Sequence, residues 1–195
     1  MWQYWPAGCL RRCGRNLVSN MARIMKLSAA VCVVLTVLFA ALGITPLAIT
    51  AGTCAYHLLM RLAVGVAFDM TLNNRVDYRH PWFRLRSFEE RLYERLRVGS
   101  WKAKMPTYDP QAFDRHRHSW DEIAQAMCQA EVVHEVIVVL SFLPVAASVW
   151  LGAAAVFIIT SVLSAGFDMM FVIMQRYNRP RILKIVQRVK EREHP

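Results

Sequence analysis

The chain has 195 residues, 55% of them hydrophobic, with a formal net charge of +10 and a mean hydropathy of +0.25; these values place it among membrane proteins rather than soluble single domains. All but Arg61 of the 24 Lys and Arg residues fall into three blocks, five before residue 27, eleven from Arg75 to Arg117 and seven from Arg176 to Arg192. Each block adjoins an apolar stretch, which fits membrane flanks lying on an anionic leaflet and argues against a nucleic-acid groove.

Residues 1–26 form a short basic and aromatic leader that reads as a cytosolic flank. A signal peptide is the competing reading, but no small-x-small cleavage site follows and a second apolar segment does, so a retained anchor is expected. From residue 27 to 69 the chain is apolar over 43 residues, enough for two spans of about 20 residues, and the break is expected at Gly43-Ile-Thr-Pro46. This first hairpin carries His57 and Arg61 at i and i+4, on one helical face.

Residues 70–127 are polar and amphipathic. Ser87-Phe-Glu-Glu90 reads as a capping box, and Leu85, Phe88, Leu92 and Leu96 recur at near-helical spacing among charges. With Trp82 and Phe83 just before it, this segment is expected to lie in the membrane interface; the alternative is a soluble helix packed on a small cytosolic core. A second box, Ser119-Trp-Asp-Glu122, opens the helix that enters the next apolar run.

Residues 128–177 hold a second hairpin with its turn between Pro144 and Gly152, and residues 178–195 a basic amphipathic tail. The expected fold is therefore all-α, an integral membrane bundle of four transmembrane helices with cytosolic amphipathic helices. The positive-inside rule then puts both termini on the cytoplasmic side of the cell membrane.

Ionisable residues inside spans are costly, so their positions are the first candidates for function. Glu131 and His134 are i and i+3 on the third span, about 60° apart around the helix, so the acid can orient the imidazole. By helical rise, Asp168 lies roughly 12 Å below Arg176, and Arg61 is at a similar depth below Asp69. These groups either line a polar cavity or neutralise one another as a buried Arg61–Asp168 or Arg61–Glu131 pair.

Cys128 is about 240° from His134 around the helix, which disfavours a Cys–His nucleophile and makes it a packing residue. The five cysteines are too scattered for a disulfide framework or a zinc site, and no metal is expected. Trp101, Lys102, Lys104, Arg176, Asn178, Arg179 and Arg181 fall at one surface, where the cations either meet a phosphate-bearing ligand or form a positive-inside flank with no specific ligand, and Trp101 suits an interface anchor or a sugar platform. The residues alone leave three classes open: an enzyme, a non-catalytic lipid or polyisoprenoid carrier, and a structural partner of a membrane enzyme complex.

The combination Trp101-Lys102-x-Lys104-x-Pro106, Cys128-x-x-Glu131-x-x-His134 and Gln175-Arg-Tyr-Asn-Arg-Pro-Arg181 resembles the glycosyl-4,4'-diaponeurosporenoate acyltransferase family. The likeness runs from about Tyr56 to the C-terminus. It implies a membrane O-acyltransferase that moves a fatty acyl group to a sugar hydroxyl of a lipid-like acceptor, with His134 as base and Glu131 as its partner. No cofactor is implied beyond an acyl donor such as acyl-CoA, acyl carrier protein or phospholipid. The expected partners are membrane lipids, the acceptor and that donor. Two positions depart from the pattern: Glu135 stands where an aromatic residue is expected, and Asp168 where a neutral polar one is.

Overall fold

The computed structural model describes residues 7–102, 105 and 112–193, with side chains from residue 22 onward. Lys104 and Pro106, and the aromatic residues of the leader, lie outside the described residues. Among the described residues the structure is all-helical and strand-free, and four of its helices are long and apolar enough to cross a membrane.

Helix α1 (Ala7–Ala41) and α2 (Thr45–Leu72) make the first hairpin. Their turn falls where the sequence indicates: Gly43 adopts φ +70°, a conformation that side chains disfavour, and Pro46 sits in the first turn of α2, where its missing N–H costs nothing. Residue 26 is not a structural boundary, because α1 runs unbroken from the leader into the span. Packed chiefly on α2, α1 leaves Leu27, Val31, Val34 and Leu38 exposed, as suits a helix bathed in lipid.

A 3₁₀ turn (Pro81–Phe83) leads into α3 (Ser87–Arg95) and the single turn α4 (Val98–Trp101). The capping box of α3 is one residue earlier than expected. Glu89, not Glu90, accepts from the backbone N–H of Arg86 at 3.1 Å, and Glu89 is also drawn inward by Arg176. The apolar stripe of α3 faces outward: Phe88, Leu92 and Leu96 are exposed, whereas Glu89 and Tyr93 are buried against the bundle. A helix resting on a small soluble core would bury the opposite face, so this orientation suits an interfacial helix.

Helix α5 (Trp120–Leu140) starts at the Ser119 box as read, with Ser119 Oγ accepting from Glu122 N–H and Glu122 Oε2 accepting from Ser119 N–H. After a break at Ser141 and Phe142, the short α6 (Leu143–Leu151) leads to a turn at Gly152 and Ala153, both with positive φ. Helix α7 (Ala154–Glu193) then returns for 40 residues.

No helix boundary occurs at residue 127 or 177. Both positions lie inside α5 and α7, because the onset of charge marks where a helix leaves hydrocarbon and not where it ends. Pro180 sits within α7 and only deprives the carbonyl of Arg176 of its intrahelical donor.

The α5–α7 pair forms the spine, with α2 packed on both. At the apolar level Met60, Val64 and Ile137 form its core; toward the basic end Ile123, Met127, Ile182 and Val186 continue the same interface. Lys190 closes that end by donating to Asp121 at 2.9 Å, and Tyr78 donates to the same oxygen at 2.8 Å.

Candidate active site

Two ionic clusters stack along the α5–α7 interface. In the cluster nearer the basic end, Glu131 is fully buried and both its oxygens are taken. Arg176 Nη1 donates to Oε1 at 2.7 Å, and Arg179 Nη1 pairs with Oε2. The spacing i and i+3 on α7 puts both guanidinium groups toward α5.

Their remaining donors hold the 3₁₀ turn and α3. Arg176 Nη2 reaches Glu89 Oε1 at 2.9 Å and Arg84 O at 3.2 Å, and Arg179 Nη2 reaches Phe83 O at 2.8 Å. Arg179 is 1% exposed and lies over the Phe83 ring. The two arginines are thus internal struts with their charge answered by Glu131 and Glu89. Cys128 is buried beside Arg179, at 3.7 Å, and not beside His134.

The deeper cluster centres on Asp168, which is 1% exposed. Arg61 of α2 pairs with Oδ2, its Nε at 3.0 Å, and Arg61 Nη2 also donates to Ser164 Oγ at 2.8 Å. Ser164 in turn hydrogen-bonds Ser141 at 2.9 Å. The other oxygen of Asp168 lies 2.9 Å from His134 Nδ1.

The His134 ring is stacked on Phe171, with centroids 4.6 Å apart and planes within 8°. Hydrogen bond and stacking together leave the ring one orientation. Its side chain is 20% exposed, and among the described residues nothing bonds Nε2.

This arrangement corrects the expected partnership. The carboxylate that orients His134 is Asp168, from a different helix, while Glu131 is consumed by the arginines. Of the two ion pairs anticipated for Arg61, the one with Asp168 forms. An imidazole with a carboxylate on Nδ1 and a free Nε2 is arranged to accept a proton at Nε2.

The cationic rim lies apart from His134. Lys102 Nζ donates to Asn178 Oδ1 at 2.6 Å and sits 4.8 Å from the Tyr177 ring centroid; Arg181 donates to Tyr177 Oη at 2.9 Å and covers the same ring at 4.6 Å. Gly99 allows this approach, since a Cβ there would meet Tyr177 Oη at 3.3 Å. Burial, and then the charge of Arg181, push the pKa of Lys102 below the usual lysine range. Trp101 ties its indole N–H to Leu96 O at 3.0 Å, joining α4 to the end of α3. Asn178 is seven residues beyond Phe171, about 10 Å along α7, so it is too far from His134 to serve as its oxyanion donor.

The profile of the family described as Glycosyl-4,4'-diaponeurosporenoate acyltransferase matches residues 79–188. The chain belongs to this family. Membership makes it an acyltransferase. No curated protein and no solved structure matches the chain. The matched segment includes His134, Asp168, both arginine struts and the Lys102 rim, while α1 and α2, with Arg61, precede it.

Several members of the site carry no signal in the sequence. Ser164 and Phe171 stand at i−4 and i+3 from Asp168 and are found only by placing that aspartate first. Ser141 looks like an ordinary helix end. Glu135, the first departure from the family pattern, accepts a hydrogen bond from Trp82 Nε1 at 2.9 Å and so fastens the 3₁₀ turn to α5. Trp82→Phe removes that donor while keeping an aromatic ring and is expected to cost about 1 kcal/mol, read as a lowered unfolding temperature in detergent; an unchanged temperature would show the contact to be idle.

Proposed function

We propose that the protein is a membrane-bound O-acyltransferase that moves a fatty acyl group onto a hydroxyl of a lipid-like acceptor, with His134 as general base. The observation that carries this reading is His134 Nδ1 at 2.9 Å from a buried carboxylate, with Nε2 bonded by nothing among the described residues. Asp168 holds the tautomer with its lone pair on Nε2 and offsets the positive charge that develops when a proton arrives. Arg61 neutralises that carboxylate within the apolar layer.

In the reaction the acceptor hydroxyl attacks the acyl carbonyl as its proton passes to Nε2. Collapse of the tetrahedral intermediate expels the donor's leaving group, which takes the proton back. The description of the family supports a glycosylated carotenoid as acceptor, and hence a sugar hydroxyl as nucleophile.

Basic residues crowd one end of the bundle, where Lys102, Arg176 and Arg181 sit, which supports a cell-membrane orientation with that end and both termini cytoplasmic. The test is lipid mass spectrometry of cells with and without the protein. A lipid heavier by one fatty acyl group should appear only in its presence; identical lipid profiles would sink the reading.

A further inference from the structure

Three basic side chains of α7 are answered by acids. Arg176 has Glu89 and Glu131, Arg179 has Glu131, and Lys190 has Asp121. Lys102 and Arg181 have other partners among the described residues: Asn178 Oδ1, Tyr177 Oη and the ring of Tyr177. Among the described residues, no carboxylate is paired with either of these two like charges around Tyr177. Such a pair repels itself when empty and is relieved by an anion.

The rim is joined to the base by one face of α7. Phe171, which lies under His134, is followed by Met174, Asn178 and Arg181 at i+3, i+7 and i+10, a single stripe on a helix that continues without a break. The stripe spans roughly 10–15 Å from the base to the cations. A donor anchored by phosphate at the rim must therefore carry its acyl carbon well away from that phosphate. A phospholipid does not meet this condition, because only glycerol carbons separate its phosphate from its ester carbonyls. A phosphopantetheine thioester does, because the long pantetheine arm lies between phosphate and sulfur.

We infer that Lys102, Asn178 and Arg181 bind the phosphate of a phosphopantetheine thioester, acyl-coenzyme A or an acylated carrier protein, whose arm follows the α7 stripe to His134. The inference rests on the acyl-transfer reading and names its donor. Each turnover forms a C–O bond between acceptor and acyl carbon and breaks the C–S bond; the hydroxyl proton passes through Nε2 to the departing thiolate. No oxidant, reductant or metal enters the balance.

The test uses the full chain in phosphatidylcholine nanodiscs, titrated separately with coenzyme A and with holo carrier protein. At least one should bind. Lys102→Ala and Arg181→Ala should each weaken it by about tenfold, the loss of one charge-assisted contact, while Lys102→Arg retains affinity and His134→Ala leaves it unchanged. Which probe binds distinguishes the free cofactor from the carrier protein.

Affinity that is absent for both probes, or insensitive to Lys102 and Arg181, overturns the inference. So does transfer of a labelled acyl group supplied only on phosphatidylcholine, although acyl transfer itself would then stand. Binding that depends on Lys102 and Arg181 without any acyl transfer would instead keep the phosphate site and remove the catalytic reading.

Discussion

Asp168→Asn is expected to lower the rate of acyl transfer on the order of 10³-fold, and His134→Ala to abolish it, with the helices still inserted. An asparagine can offer its N–H₂ to Nδ1, which favours the tautomer protonated at Nε2 and so removes the base. It also leaves Arg61 without its counter-ion, and a loss of rate could then reflect a disturbed bundle. The double variant Arg61→Gln/Asp168→Asn separates the two effects. It restores neutrality and should recover thermal stability, but not the rate. Initial rates normalised to inserted protein, with their pH profile, are the measurement; Asp168→Asn turning over like the parent would refute the His134–Asp168 pairing.

Glu131→Gln is expected to act on stability instead, by about 3–5 kcal/mol, because it leaves the buried Arg179 without a carboxylate and Arg176 with Glu89 alone. Against a total of about 5–15 kcal/mol for a folded protein, such a loss is visible as aggregation or early melting in detergent. The 3₁₀ turn and α3 should loosen together, since Arg176 and Arg179 hold both through Arg84 O, Phe83 O and Glu89. Had Glu131 been the residue that orients His134, the same change would spare the fold and cost only rate. Thermal melts beside turnover assays discriminate these outcomes.

The architecture was legible because hydrophobic length, proline position and capping chemistry are local properties. Gly43 and Pro46 locate the first turn, and Ser119 with Glu122 starts α5, without reference to any distant residue. The depth of Arg61, His134 and Asp168 follows equally from helical rise. Sequence spacing did not settle the pairing of the carboxylates. Glu131 and Asp168 are both within reach of His134 on helical arithmetic, and the choice depends on how α7 is rotated against α5.

That rotation puts Arg176 and Arg179 on Glu131 and leaves Asp168 to the imidazole. The same limit applies to the basic motif at Gln175–Arg181, which reads as one cationic patch. Only tertiary placement divides it into struts that face inward and a rim that remains open.

The Arg61–Asp168 pair joins residues 107 positions apart, and this separation bears on how the protein is assembled. A chain made from its N-terminus delivers α2 to the membrane long before α7 exists. Until then Arg61 has no acid to meet and must be carried into the bilayer by the apolar residues around it, at a penalty of about 2.5–3.5 kcal/mol on insertion scales. Its position roughly 12 Å from the basic end of the helix lets the long side chain reach back toward the headgroups meanwhile. Arrival of Asp168 ends that wait, so the first hairpin offers the last helix a charge to dock on during biogenesis, and the aspartate that holds His134 through one oxygen answers Arg61 through the other.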